Sequence, residues 1–262
     1  MIRFFASEAD ISNNTIRLSD EDISHIRSLR LRPTELFVVC DGEGTDYNCK
    51  LGEKNDASVA EIIETRESVG EPSVKCTVYL ALAKGDRLDY AVQKSIELGA
   101  YEIVLFPSAR CISKPSDMQK KIKRLQKIAL ETAKQADRGR VPMISYVDSF
   151  DKAITNAAKA DIPLFFYEQE KKTGLKSILC RGAHCASAPP APFANEGGAS
   201  AEAGVVATIS IVTGPEGGFE PNEAQKAKDK GLITASLGSR ILRCETAPIA
   251  ALGAIMFHLG EI

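Results

Sequence analysis

Thr213-Gly214-Pro215-Glu216-Gly217-Gly218-Phe219 ends an apolar run, Val205 to Val212, and hands the chain to a polar, helix-patterned stretch from Pro221 to Lys230. A second apolar run, Leu232 to Leu237, passes into a second loop, Gly238-Ser239-Arg240-Ile241-Leu242-Arg243-Cys244-Glu245-Thr246. An apolar helix is expected after it, from about Ala247 to Leu259. These are two strand–loop units, and in open α/β sheets ligands bind just beyond the carboxyl ends of the strands. Gly214, Gly217 and Gly218 permit positive φ and let bare amides approach a ligand; Pro215 fixes a turn between them. The spacing is not that of a dinucleotide fingerprint, and no Lys-Ser or Lys-Thr follows, as a phosphate loop requires. The glycines alone favour a plain β–α turn.

The residues around the glycines say more. GPEGGFEPNE followed by LGSRILRCETAP resembles the two loops of the RsmE family, whose second loop reads L-G-x-R-I-L-R-x-E-T-A; Leu237, Gly238, Arg240, Ile241, Leu242, Arg243, Glu245, Thr246 and Ala247 stand in place. The resemblance implies a SPOUT-class methyltransferase that uses S-adenosylmethionine to methylate N3 of a uridine in 16S ribosomal RNA. It also implies a C-terminal trefoil knot, which general folding rules would not suggest. The cofactor would lie among Thr213, Gly214, Pro215, Glu216, Gly217 and Gly218 of the first loop and Leu237, Gly238, Ile241 and Leu242 of the second. A strand from Leu164 to Tyr167 should end at the same sheet edge and add Tyr167.

Uracil N3 keeps its proton at neutral pH. A base, or a cation that stabilises the anion on O2 or O4, is therefore needed. Arg243 is expected as the electrostatic stabiliser, with Glu245 and then Glu216 as candidate bases. Glu245, beside Thr246, is open to a second reading as a cap of the last helix.

Upstream, strands and helices alternate, the mark of a parallel sheet. Val74 to Ala81 and Tyr101 to Phe106 read as strands, with Asp86 capping a helix to Leu98 that Gly99 closes. Lys84-Gly85-Asp86-Arg87 and Gln93-Lys94-Ser95-Ile96-Glu97-Leu98-Gly99 again resemble RsmE members. From Arg110 to Arg140, ten cations stand against three carboxylates, a local +7 in a chain of net −2. Met118, Ile122, Leu125, Ala129 and Thr132 trace an apolar stripe, and Lys120, Arg124, Lys127 and Lys134 share another face. Such a stripe is either a solvated face or a nucleic-acid footprint. The following Gln135 to Pro142 resembles the family's Q-x-x-R-x-x-V-P, which favours RNA contacts from Arg138 and Arg140.

Residues 1–70 read differently. Short apolar runs (Ile2–Phe5, Thr15–Leu18, Leu36–Cys40, Ala57–Ile63) are separated by turn signals, with one helix from Asp20 to Leu29. The pattern suggests a small barrel, and the resemblance implies a PUA-like RNA-binding domain here; Arg27 and Arg30, near His25, either hold phosphates or form a solvated helix end whose cations the macrodipole favours. Gly70 to Ser73 reads as a linker to a domain over 71–262. Residues 182–204, almost all Ala, Pro, Gly, Ser and Glu, read as a flexible insertion.

The chain, 262 residues long, has no ~20-residue apolar span for a membrane and no cationic lead before an apolar core at its start, so a cytoplasmic location is expected. The seven cysteines include no C-x-x-C pair, and no metal site is expected; His25, His184 and His258 are dispersed. The apolar C-terminal helix needs a surface to cover it, either within the chain or, as the resemblance implies, in a homodimer. Two other readings stay open: a SPOUT enzyme acting on a ribose or another base, and a catalytically silent RNA-binding assembly factor.

Overall fold

The structure, a computed structural model, describes residues 2–7, 10–12, 14–52, 56–112, 117–181 and 207–262. The insertion expected at 182–204 lies outside the described residues, as do His184, Cys185, Val205 and Val206. The chain divides into two compact units, Met1–Glu71 with Leu130–Val141, and Pro72–Ala129 with Pro142–Ile262.

The first unit carries β1 (Arg3–Phe5), β2 (Ile11–Ser12), β3 (Thr15–Arg17), helix α1 (Asp20–Leu29), β4 (Phe37–Cys40), β5 (Thr45–Gly52) and β6 (Asp56–Glu67). They form one sheet in the order β1-β4-β5-β6-β3-β2, antiparallel except for the β1–β4 pair. Helix α1 starts where its residues direct. The Ser19 hydroxyl accepts from the Asp22 amide (3.1 Å), and Asp20, Glu21 and Asp22 fill the first turn, where the helix dipole favours anions. Arg30 ends it in the left-handed conformation. Phe4, packed edge-on against Phe37 at 5.6 Å, centres a core that includes Ile16, Ile26 and Val39.

Residues 130–141 bring charge into this unit rather than offering it to solvent. Arg138 is buried, and its Nε and Nη2 donate to the two oxygens of Glu71 at 2.7 and 2.8 Å. Glu71 also accepts from the amides of Gly139 and Arg140. Glu71 thus anchors the end of the first unit, just before the boundary at Pro72. Arg138, expected at RNA, is used in folding: a buried ion pair leaves no face for a phosphate. Lys134 is likewise withdrawn from the expected cationic stripe. Its ammonium donates to Asp22 at 3.1 Å and lies 5.6 Å from the Phe4 ring centroid.

The second unit alternates β7 (Lys75–Ala81), α2 (Asp86–Glu97), β8 (Glu102–Phe106), α3 (Met118–Gln135, whose last residues belong to the first unit), β9 (Met143–Tyr146), α4 (Phe150–Ala157), β10 (Ile162–Phe166), α5 (Leu175–Arg181), β11 (Thr208–Thr213), α6 (Pro221–Asp229), β12 (Ile233–Ala235) and α7 (Thr246–Leu259). The sheet runs β12-β10-β11-β7-β8-β9, every pair parallel. Its strands are apolar on both faces, as a sheet covered on both sides requires. Helix α7 packs on α2, α5, β7 and β11, whereas α4 packs on β7, β8, β11 and α6. The chain runs outward from β7 to β9 and then crosses back to β10, so the strand ends meet at a switch in direction beside β7 and β11.

One expectation about a helix end changes. Gly85, at φ +62°, is the N-cap of α2, and Asp86 is its first helical residue. Helix α7 buries Leu252, Ile255 and Met256 within the chain and leaves Phe257 74% exposed, so only part of its apolar surface lacks cover.

Candidate active site

Both loops named from the sequence, and the end of the strand that carries Tyr167, open on one cleft of about 570 Å³ at the carboxyl ends of β10, β11 and β12. Tyr167 borders it after β10, Thr213 to Gly218 after β11, and Leu237, Gly238, Ile241 and Leu242 after β12. Arg243 and Glu245 border it too, just ahead of α7. The parallel sheet accounts for this convergence: β10 pairs with both β11 and β12, so their following loops are neighbours.

The first loop is pinned at both ends. Thr213 is buried, and its hydroxyl donates to the Tyr79 carbonyl at 3.4 Å. Phe219 is fully buried 4.4 Å from Phe165 and 5.8 Å from Phe150, centroid to centroid. Beyond it, Glu223 holds the start of α6. Its carboxylate accepts from the Glu220 amide (2.9 Å) and, across the unit, from the Ala109 amide (2.9 Å). Gly218 turns at φ +67°, and a Cβ there would collide with the carboxylate of Glu168. Gly217 is tight for another reason than cofactor approach: a Cβ would press on Arg110 at 3.0 Å, whose guanidinium donates to the Gly217 carbonyl at 3.1 Å. Gly238 has open space around it, and its φ of +107° alone calls for glycine.

The electrostatics separate the candidate bases. Burial raises the Glu245 carboxyl, but its own amide, the Cys244 thiol and the charges of Arg87 and Arg243 outweigh this, and its pKa is lowered. Cys244 donates to Glu245 at 3.2 Å; burial and that carboxylate push the thiol up to about 12. Glu245 occupies the N-cap position of α7, yet its side chain makes no capping hydrogen bond. Arg243 is exposed at the cleft with Glu245 as its charged neighbour. Ile241 borders the cleft and is 83% exposed, so it projects as a lip.

Glu216 joins two loops. Its Oε1 accepts from the Lys84 amide at 2.8 Å and from Arg87 Nη1 at 3.4 Å, while its Oε2 is buried without a partner among the described residues. Arg87 borders the cleft and is not assigned to the site by the sequence; the Lys84–Arg87 segment carries it, but its role depends on β7 and β11 being adjacent.

The expected RNA contacts lie elsewhere. Lys120, Arg124 and Lys127 are exposed along α3, with Arg124 in a two-pronged pair with Asp89. Arg27 and Arg30 are exposed at the end of α1, and Arg140 is half-buried. Among the described residues no cluster of His, Cys, Asp or Glu could hold a metal ion, and no helix is long and apolar enough to cross a membrane.

Residues 70–256 match the family of RNA methyltransferase domains. The chain is 31% identical to ribosomal RNA small subunit methyltransferase E of Bacillus subtilis over 248 residues, covering 93% of this chain and 90% of that protein. It is 30% identical to the protein of the same name from Mesomycoplasma hyopneumoniae, covering 95% and 96%. Among solved structures it is similar to a ribosomal RNA small subunit methyltransferase E from Neisseria gonorrhoeae bound to S-adenosyl methionine. The TM-score is 0.74 at 28% identity, and 98% and 97% of the two chains are covered.

Proposed function

The chain belongs to the ribosomal RNA small subunit methyltransferase E family of S-adenosylmethionine-dependent RNA methyltransferases, and we propose that it methylates N3 of a uridine in 16S ribosomal RNA. The observation that carries this reading is the convergence of the loops after β10, β11 and β12 on one cleft that also presents Arg87, Arg243 and Glu245.

The cleft suits the cofactor. Its size falls in the ~300–1,000 Å³ range of small-molecule sites, and Glu216, which borders it, has a buried carboxylate oxygen without a donor among the described residues. A cationic, donor-bearing ligand is what such an oxygen accommodates. When bound, S-adenosylmethionine supplies an electrophilic methyl group on a sulfonium and leaves as a neutral thioether. Thr213 to Gly218 and Leu237 to Leu242 would clasp it with backbone groups, and Tyr167 would border it after β10.

The protein's remaining task is the nucleophile. N3 and its proton share the in-plane direction along which a methyl group must arrive, so a base resting on that proton would block transfer. Lowering the cost of the anion through O2 or O4 avoids the conflict, and the proton leaves to solvent before N3 attacks. A guanidinium does this well. The lowered Glu245 is a weak base, and its better use is to hold Arg243. Because N3 lies on the Watson–Crick edge, the base must first leave its stack.

The first unit, with its six-stranded sheet and the exposed Arg27 and Arg30, is read as a PUA-like barrel that grips RNA. The exposed cations of α3 add phosphate contacts. The return of the chain from the edge strand β12 to α7 against β11, β7 and α2 supports a C-terminal trefoil knot in this reading. The exposed Phe257 and Ile262 favour a homodimer through α7. A ribosomal RNA substrate places the work in the cytoplasm.

The test is incubation of unmethylated small-subunit particles with labelled cofactor, followed by nucleoside analysis. Label at uridine N3 in 16S RNA is expected. Label on a ribose or another base would assign a different specificity, and cofactor binding without transfer would favour an assembly factor.

A further inference from the structure

Arg87 stands in the first turn of α2, where the helix dipole disfavours a cation. Gly85, the N-cap, has no side chain to satisfy that turn. The position is offset by carboxylates arriving from other loops. Glu216, from the loop after β11, accepts from Arg87 Nη1 at 3.4 Å and fixes the strand-end geometry by accepting from the Lys84 amide at 2.8 Å. Glu245 and Cys244, from the loop before α7, feel the Arg87 charge as well. Asp86 and Asp89 share its helix turn, and Asp89 is engaged by Arg124. One cation therefore sits where the β7, β11 and α7 loops meet, about half exposed to the cleft. Arg243, by comparison, stands on the exposed part of its loop.

We propose that Arg87 is a further substrate-facing cation of the transfer site, taking O2 or O4 of the deprotonated pyrimidine, with Glu216 as its positioning residue. The inference rests on the N3-methylation reading above. The N3–H bond breaks, its proton goes to solvent, and its electron pair stays on the ring, spread over N3 and both oxygens. The Arg87 guanidinium lowers the cost of that charge, and the N3 pair then forms the new bond to the methyl carbon while the carbon–sulfur bond breaks, its pair staying with the departing neutral thioether. Glu216 prevents the guanidinium from swinging into solvent, so the site has little reorganisation to make.

Single-turnover methylation of small-subunit particles tests this across a range of pH, with cofactor affinity measured by calorimetry. Arg87→Ala should slow transfer by about 10²-fold while cofactor affinity changes little, as when other oxyanion donors are removed. The deficit should narrow as pH rises, since hydroxide then produces the anion unaided. Particles carrying 5-fluorouridine, whose N3 proton is more acidic, should rescue the variant for the same reason. Glu216→Gln keeps an oxygen for the Lys84 amide but loses the charge that holds Arg87, and should show a smaller loss with the same pH trend. Arg87→Lys guards against misfolding and should recover part of the rate.

A wild-type rate for Arg87→Ala would overturn the inference. So would a deficit equal at every pH and unrelieved by 5-fluorouridine, which would make Arg87 a staple between loops. If the wild-type protein places no methyl on N3, the function reading falls first and this inference with it.

Discussion

Arg3 donates from Nη1 and Nη2 to the two carboxylate oxygens of Asp46 at 2.6 and 2.7 Å, with both side chains buried in the first unit. Burial by itself raises the Asp46 carboxyl, but the Arg3 fork and the Ser68 hydroxyl outweigh it and hold the pKa below its ordinary value. Arg3 also donates to the Arg138 carbonyl at 3.2 Å, so the pair ties β1 and β5 to the turn after α3. Removing the Asp46 carboxylate leaves the buried Arg3 with only the exposed Asp137, 3.4 Å from its Nε, as a charged partner. Asp46→Asn should therefore destabilise the protein by ~3–5 kcal/mol. Urea denaturation followed by circular dichroism reads this directly. Because the folded pKa is depressed, the stabilisation is present above the unfolded value near 3.9 and disappears as pH falls through the folded one. The acid limb should accordingly be shallower in Asp46→Asn than in the wild type.

How much of this is legible in the sequence varies with the range of the interaction. Helix α1 spans Asp20–Leu29, as expected, because its signals, Ser19 and three acidic residues, are local. The glycine loops and their strands are likewise legible, since periodicity and turn residues act within a few positions. Strand β5 is not. Its Thr45–Gly52 stretch reads as polar, yet Asp46 and Asn48 face inward because Arg3 and Glu64 supply partners. Arg138 reads as a phosphate ligand for the same reason: its carboxylate, Glu71, is 67 residues away. Arg87 is the converse case, a site residue hidden in a helix-start pattern until Glu216, 129 positions on, reaches it.

The RNA-facing cations can be separated from the structural arginine. Neutralising Lys120, Arg124 and Lys127 together should flatten the salt dependence of RNA binding. The slope should fall by about 0.7 for each single-strand phosphate that a removed cation had neutralised. Arg138→Gln should leave that slope unchanged and lower the melting temperature instead, since Arg138 is spent on Glu71. Filter binding at several salt concentrations and a thermal melt distinguish the two. An unaltered slope in the triple variant would make the α3 face merely solvated.

Gly218 is expected to be the least replaceable residue of the first loop. Ala there meets both a positive φ and the carboxylate of Glu168. Backbone strain of this kind costs ~1–3 kcal/mol, so Gly218→Ala should weaken S-adenosylmethionine about ten- to hundredfold by calorimetry. Adding Glu168→Ala removes the collision but not the strain, and should recover only part of the loss. Gly217→Val should act differently, by displacing Arg110, and Arg110→Ala in the same protein should relieve it. Unchanged cofactor affinity in Gly218→Ala would mean that the loop can reshape freely.

Arg243 remains the candidate stabiliser on the second loop, and its exposure shapes what its loss should do. It faces the cleft beside Glu245 and is exposed, so Arg243→Ala removes little packing and should leave the fold and cofactor affinity nearly intact. If it meets the pyrimidine anion, the chemical step should fall by ~10²–10³. Lys should rescue poorly, since it offers a point charge in place of a planar fork. Glu245→Gln separates holding from catalysis. As a base, Glu245 would be indispensable and its loss would abolish the pH dependence of transfer. As the holder of Arg243, its loss should cost less than Arg243→Ala, and the double variant should be no slower than Arg243→Ala alone. Single-turnover rates of the three variants at saturating cofactor decide between these outcomes. A variant of Arg243 that loses cofactor binding, with its chemical step unchanged once the site is filled, would reassign the residue to the shape of the loop.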